Sequence, residues 1–201
     1  MKKSVYTTEM IVKIAVLGAL AAVLLLFNFP VPFAPSFYKV DFADIPALIG
    51  GFAFGPLAAL MICLVKIVIN IIIEGGSTTA FVGELSNFVI SVAFTVTCAA
   101  IYRRNKTRKN ALIAMLIGSL TMCFVGSVMN YFAIIPAYVY FMNFPLEAII
   151  GMGTRIFPII SSKLSLVIFC TAPFNLFKAF LQSLLTFFLY KRLSVYLKPV
   201  K

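Results

Sequence analysis

Residues 164–190 read LSLVIFCTAPFNLFKAFLQSLLTFFLY, an apolar run long enough for one transmembrane helix, with a single lysine, Lys178, near its middle. The next basic residue is Lys191, and a helical rise of about 1.5 Å per residue places the Lys178 ammonium roughly 20 Å from that charged end. A lysine side chain cannot fully span this distance to water. A cation at such depth usually marks a partner, a water-filled cavity or a ligand, although a lysine that is neutralised by burial is the simpler alternative.

The composition is that of an integral membrane protein. Of the 201 residues, 62% are hydrophobic and 11% are charged, and the mean hydropathy is +1.06. Each span needs about 20 residues plus a turn, so this length predicts one domain, residues 1–201, of six transmembrane helices. We therefore expect an all-α membrane protein with no room for a separate soluble enzyme or ATPase domain.

Helix breakers and polar segments divide the chain into six expected spans. The first apolar run lacks a small-residue cleavage site, so we expect a retained helix, followed by an extended proline-rich loop over residues 30–44. Gly50, Gly51 and the Gly55-Pro56 pair divide the next apolar stretch into a helical hairpin. The segment 136–162 contains three prolines and is expected to be a long loop with interfacial helical pieces. The expected spans are Thr8–Phe29, Ile45 to the Gly55 turn, Pro56–Ile73, Val82–Tyr102, Ala111–Ile135 and Leu164–Tyr190.

The distribution of charge predicts an orientation. Eleven of the seventeen Lys and Arg residues fall in the two termini and in the segment 103–109, which places the N- and C-termini and this segment in the cytoplasm. The net charge of +11 is therefore explained by topology and contact with anionic lipid, and we expect no nucleic-acid binding. Five of the six acidic residues fall on the opposite side: Asp41, Asp44, Glu74, Glu84 and Glu147.

Sequence motifs for catalysis and metal binding are absent. The chain has no histidine, and its four cysteines fall in apolar helices without metal-ligand spacing. Neither the phosphate-binding G-x-x-x-x-G-K-[ST] loop nor the H-E-x-x-H motif occurs. We expect no catalytic residue, metal or cofactor, and an ATP-driven step would need a partner ATPase.

Polar side chains gather at the outer ends of the predicted helices. Asn130 lies late in the fifth helix, and Asn175 and Lys178 lie early in the sixth, so the topology places them at one depth. Glu84 and Asn87 open the fourth helix about one turn apart, although Glu84 could serve only the helix N-terminus. Two amides, a lysine and a carboxylate suggest a pocket, whereas single intramembrane amides more often join helices. The aromatic residues that could stack on a planar ligand, or simply pack, are Phe37, Tyr38, Tyr131, Phe174 and Phe177.

Five segments, in chain order, resemble the riboflavin-specific S component of energy-coupling factor (ECF) transporters. They are KVDFADIPALIGGF at 39–52, FGPLA at 54–58, GEL with NF at 83–88, NYF at 130–132 and PFNLFK at 173–178. The resemblance implies a six-helix protein of the bacterial plasma membrane that captures riboflavin, the transported ligand, on the outer face. It would join a transmembrane coupling protein and two cytoplasmic ATPases, and topple in the membrane to release the vitamin inside.

The same resemblance implies roles for individual residues. Asn130, Asn175 and Lys178 would donate hydrogen bonds to the edge of the isoalloxazine ring, whose carbonyls and ring nitrogens accept them. The residues that would hold the ribityl hydroxyls or close the site are Lys39, Val40, Asp41, Gly83, Glu84 and Asn87.

Two further features concern the first and third helices. Ala15 and Ala19 form a small-residue stripe that the family uses to dock the coupling protein, although such a stripe also suits internal packing. The acidic residue expected shortly before Lys66 is replaced by Cys63 and Leu64. A polar stripe survives in the third helix, but the counter-charge of Lys66 is left open.

Three other functions stay open. The chain could be an S component for another planar vitamin such as folate, a stand-alone secondary transporter, or an intramembrane enzyme. The small size and the lack of a detectable inverted repeat disfavour the second. The lack of a nucleophile–base pair or metal-ligand set disfavours the third.

Overall fold

The computed structural model describes residues 7–77 and 79–197, with side chains as far as residue 190. Apart from one pair of two-residue strands, the regular elements of this part of the chain are helical, as predicted. The helices are α1 (Thr8–Leu26), α2 (Asp44–Phe54), α3 (Pro56–Ile73), α4 (Val82–Arg104), α5 (Arg108–Met129), α6 (Ile135–Phe141), α7 (Leu146–Thr154), α8 (Lys163–Leu166) and α9 (Ala172–Leu197), with π-helical turns at Asn130–Ile134 and Val167–Thr171.

Five helical stretches of the described chain are long and apolar enough to cross a membrane, where the sequence predicted six spans. The sixth expected span is α2, whose 11 residues rise only about 16 Å, roughly half the thickness of a bilayer core. Gly55, at φ 103°, ends α2 and turns the chain directly into α3, so the predicted hairpin is confirmed. The five stretches are Thr8–Leu26, Pro56–Ile73, Val82–Arg104, Arg108–Phe141 and Lys163–Tyr190.

The proline-rich loop is more ordered than the sequence predicted. The first helix ends at Leu26 rather than Phe29, because Phe29–Pro30 forms strand β1 and pairs antiparallel with β2, Lys39–Val40. This short pairing brings the end of the loop back beside its beginning. The residues that follow β2 lead directly into α2.

The segment after Ile135 corrects the predicted loop. The fifth helix continues through the π-helical turn at Asn130–Ile134 into α6, and ends at Phe141. Proline lacks an N–H and its ring clashes with the preceding turn of a helix, so a widened turn ahead of Pro136 accommodates it. A second π-helical turn stands ahead of Pro173 in the last helix. Part of the remaining segment forms α7, consistent with the expected helical pieces.

Helix α2 lies at the centre of the fold. It packs against α1, α3, α4 and α9, and Leu48 in its middle is fully buried. The turn after α2 approaches the basic junction between α4 and α5, where Arg103 lies within 4 Å of the Cβ position of Gly55. The start of α2 therefore lies about 16 Å from the turn beside the basic junction, away from that end of the protein. The other basic residues behind the predicted orientation, Lys2, Lys3 and those from Lys191 onward, lie outside the described side chains.

Candidate ligand-binding site

A cavity of about 160 Å³ lies between α4, α5, α9 and the loop before α2. A second cavity of about 290 Å³ adjoins it and shares the walls formed by Phe37, Asn130, Ile134 and Tyr138. Together the two cavities reach the range of roughly 300–1,000 Å³ typical of small-molecule sites. Six of the residues predicted from the sequence line the first cavity: Lys39, Gly83, Asn87, Asn130, Asn175 and Lys178.

Lys178 has a charged partner in the loop before α2. Its Nζ donates to Oδ2 of Asp41 at 2.7 Å, and the lysine is only 6% exposed. One turn further along α9, Gln182 Nε2 donates to the backbone carbonyl of Asp41 at 3.1 Å. Burying two charges costs solvation free energy, and the close contact between them offsets this cost. These bonds fix the loop to α9 at one edge of the cavity.

Asn130 is held by a tyrosine from the same loop. The Tyr38 hydroxyl donates to Asn130 Oδ1 at 2.8 Å and lies 2.7 Å from Thr171 Oγ1. Burial raises the pKa of the Tyr38 phenol, which keeps it protonated as a donor. Asn130 Nδ2 donates to the Gly126 carbonyl at 2.8 Å. The side-chain oxygen of Asn130 thus accepts one hydrogen bond, and one of its two amide N–H groups is used.

Asn175 packs against Gly126 of α5, the residue whose carbonyl accepts from Asn130. Asn175 Nδ2 donates to the carbonyl of Thr171 at 3.0 Å, which uses one of its two N–H groups. A Cβ on Gly126 would lie 2.6 Å from this Nδ2, so the glycine makes room for the amide. The π-helical turn that precedes α9 ends at Thr171, so this turn positions both Asn175 and the partner of Tyr38. Asn130, Asn175 and Lys178 all line the same cavity.

A second buried ion pair lies behind the cavity wall. Lys66 Nζ donates to Asp44 Oδ1 and to Ser91 Oγ, both at 2.8 Å, and both charged side chains are fully buried. Asp44 therefore supplies the counter-charge that the sequence left open for Lys66. The expected polar face of α3 continues with Asn70, whose Nδ2 donates to Glu74 Oε1 at 3.2 Å.

Three predicted site residues do not line the cavity. Val40 is fully buried in an apolar cluster, and Asp41 lies behind Lys178 as its partner. Glu84 accepts a hydrogen bond from Thr79 Oγ1 at 2.7 Å, and the same hydroxyl accepts from the Gly83 N–H at 3.0 Å. Glu84 thus orders the turn before α4. A direct contact of these three residues with a ligand stays a prediction.

The aromatic residues divide into two groups. Phe37, Tyr38 and Phe174 line the cavity. The Lys163 ammonium lies over the Tyr131 ring, 4.2 Å from the centre of that ring. Phe177 packs edge-on against Phe33. The first group is therefore placed to contact a ligand in this cavity.

Sequence reasoning missed several wall residues. Ser91 lies one turn after Asn87 on α4, so its helical spacing from Asn87 could have revealed it. Tyr138 was hidden because its segment was predicted to be a loop. Thr171 and Gln182 do not line the cavity, but they bond to Tyr38 and Asp41 of the loop. Each lies four residues from one of Asn175 and Lys178 and seven from the other, so helical spacing could have revealed them too.

The small-residue stripe on α1 points outward in part. Ala15 and Ala19 are exposed, whereas Ala22 is fully buried. Gly18 faces inward, and a Cβ there would lie 2.5 Å from a methyl carbon of Val65. The exposed face of α1 therefore carries the two alanines that the sequence singled out.

Comparison with known proteins identifies the family. The family model described as the substrate-specific component of ECF transporters matches residues 9–190. This chain belongs to that family. It is an S component, a member of a transporter family rather than an enzyme family.

Relatives and a solved structure resemble this S component over most of its length. It is 30% identical over 199 residues to the riboflavin transporter RibU of Staphylococcus aureus, which covers 99% of this chain and 97% of that protein. It is 34% identical over 135 residues to the riboflavin transporter FmnP of Bacillus subtilis, covering 67% and 71%. A solved S component of a bacterial ECF transporter matches with a TM-score of 0.73 and 31% identity, covering 95% of this chain and 98% of that one.

Proposed function

We propose that this S component binds riboflavin in the cavity between α4, α5 and α9, and that it is the vitamin-capturing subunit of an ECF importer. The observation that carries the proposal is the convergence of Asn130, Asn175 and Lys178 on one cavity with aromatic walls. The names of the relatives, riboflavin transporters in Staphylococcus aureus and Bacillus subtilis, support the same ligand.

The chemistry of the walls suits a flavin. The isoalloxazine ring is planar and carries carbonyls and ring nitrogens along one edge, which accept hydrogen bonds from amide and ammonium donors. Lys178 uses one of its three N–H groups on Asp41, which leaves two for the ligand. Phe37 and Phe174 offer rings for stacking. The polar groups of Lys39 and Asn87, at the same cavity, suit the ribityl hydroxyls.

The proposed orientation in the membrane follows from the positions of the basic α4–α5 junction and of the cavity. The basic α4–α5 junction faces the cytoplasm of a bacterium, and the cavity, at the opposite end, opens to the outside. The short α2 is the sixth helix of the bundle, and both termini are cytoplasmic. Riboflavin thus enters the cavity from outside, before the subunit topples in the membrane to release it.

The driving force comes from partner subunits in this proposal. A transmembrane coupling protein docks on α1 at Ala15 and Ala19, whose small side chains let another helix approach closely. Two ATPases bound to that coupling protein hydrolyse ATP, and this chain acts as the ligand-binding subunit alone.

Ligand competition tests the proposal. Protein purified in detergent should quench the fluorescence of added riboflavin, and excess folate should not displace the flavin. Displacement by folate, with no response to riboflavin alone, would assign the cavity to another planar vitamin. Uptake by this chain alone in liposomes, driven by an ion gradient, would instead indicate a secondary transporter.

A further inference from the structure

Two buried ion pairs lie next to each other at the base of the cavity. The outer pair, Lys178 with Asp41, borders the cavity, and the inner pair, Lys66 with Asp44, lies behind it. Asp41 and Asp44 are three residues apart, at the end of the loop and the first position of α2. Two carboxylates and two ammonium groups thus form a set with no net charge.

The two pairs act on each other electrostatically. Asp44 lies within electrostatic range of Lys178 as well as of Lys66, and Lys66 lies within range of Asp41 as well as of Asp44. In the described part of the chain, Asp44 Oδ2 is buried without a hydrogen bond, so the Asp44 carboxylate depends on Lys66 as its hydrogen-bond donor. If Lys66 lost its charge, the unpaired Asp44 carboxylate would compete with Asp41 for the Lys178 ammonium.

The inner pair also reaches the cavity wall through a second route. Lys66 donates to Ser91 Oγ at 2.8 Å, and the Ser91 hydroxyl donates to Asn87 Oδ1 at 3.3 Å. Ser91 and Asn87 both line the cavity, whereas neither Lys66 nor Asp44 does. The fully buried inner pair is therefore linked to the ligand-facing side chains on α4 and on α9.

We propose that Lys66 and Asp44 are positioning residues for the ligand: their mutual neutralisation keeps Asp41 paired with Lys178, which holds the Lys178 ammonium at the cavity edge. This inference rests on the proposed function, since its readout is riboflavin affinity. It is independent of the direct contacts, because the inner pair lies outside the cavity. Because the balance of charge is what keeps Lys178 in place, removing both charges should reduce riboflavin affinity less than removing one.

A charge-balance experiment tests this inference. The variants are Lys66→Met, Asp44→Asn and the double variant, with Thr95→Val as the matched control. Thr95 is fully buried on α4 one turn from Ser91 and donates to the Ser91 carbonyl, but it carries no charge. Riboflavin affinity is measured by fluorescence quenching on the monodisperse protein fraction, and the thermal midpoint of each variant is recorded beside it.

Each single variant should bind riboflavin at least about tenfold more weakly, because a buried charge is left without its partner. The double variant should return to within about threefold of the wild type, since no buried charge is left unpaired and only the two Lys66 hydrogen bonds, to Asp44 and to Ser91, are lost. The control should keep the wild-type affinity even if its thermal midpoint falls. If the Lys66→Met single variant does not fold, the Asp44→Asn single variant is compared with the double variant instead.

Two results would overturn the inference. If both single variants bind like the wild type while melting at lower temperature, the inner pair serves stability only. If the double variant binds as weakly as the single variants, charge balance is not the cause. A wild-type chain that does not bind riboflavin would instead contradict the proposed function, so the two failures are distinguishable.

Discussion

Replacing Lys178 with methionine tests the role of the buried ammonium most simply. Methionine keeps much of the length of the side chain and removes the charge. In the structure Lys178 is 6% exposed, and its ammonium donates to Asp41 at 2.7 Å. A hydrogen bond from a charged donor contributes about 1.5–3 kcal/mol, which corresponds to a loss of riboflavin affinity of roughly 10- to 150-fold.

The assay is a titration of riboflavin with purified protein, followed by the quenching of flavin fluorescence. Lys163→Met is the matched control, because Lys163 lies over the ring of Tyr131 and does not line the first cavity. The control should bind within about twofold of the wild type, since the contact it loses is a half-buried cation–π contact outside the cavity.

Either of two results would refute this reasoning. Wild-type affinity in Lys178→Met would remove Lys178 from the set of ligand donors. An equal loss in Lys163→Met would show that the effect comes from charge or folding in general, and not from the position of Lys178 at the cavity.

The remaining predictions concern Asn175, Gly126 and the exposed face of α1. Asn175→Ala should weaken riboflavin binding at least about tenfold, or about 1.4 kcal/mol, and an unchanged titration would exclude the amide as a donor. Gly126→Ala should also weaken binding in the same titration, because its Cβ would lie 2.6 Å from the Asn175 amide, whereas Gly151→Ala, with open space around it, should not. Tryptophan at Ala15 or Ala19 should leave binding intact and abolish vitamin uptake by the assembled transporter in cells; a loss of binding would assign the stripe to internal packing.

Local sequence patterns predicted the helical framework well. The apolar runs predicted the long helices, because each membrane-crossing segment must satisfy its own backbone hydrogen bonds. The Gly55-Pro56 pair predicted the turn between α2 and α3, where only glycine readily adopts the positive φ. Prolines predicted the ends of helices less well. A loop was expected from Pro136 onward, but the π-helical turn at Asn130–Ile134 lets the helix continue past this proline.

The pairing of side chains could not be predicted in the same way. Lys178 and Asp41 were both singled out, but 137 residues separate them, and no local pattern joins them. The counter-charge of Lys66 was sought on its own helix and is supplied instead by Asp44, 22 residues earlier. Such pairs depend on how α2 packs against α3 and α9, and this is a property of the tertiary structure alone.

Flavin occupancy per chain tests the central claim most directly. Wild-type protein and the double variant Lys178→Met/Asn175→Ala are equilibrated with the same riboflavin concentration, and bound flavin is measured by absorbance after free ligand is removed. We predict one riboflavin per wild-type chain and little or none in the double variant. Equal occupancy of the two proteins, or a wild-type chain that stays colourless, would contradict the account.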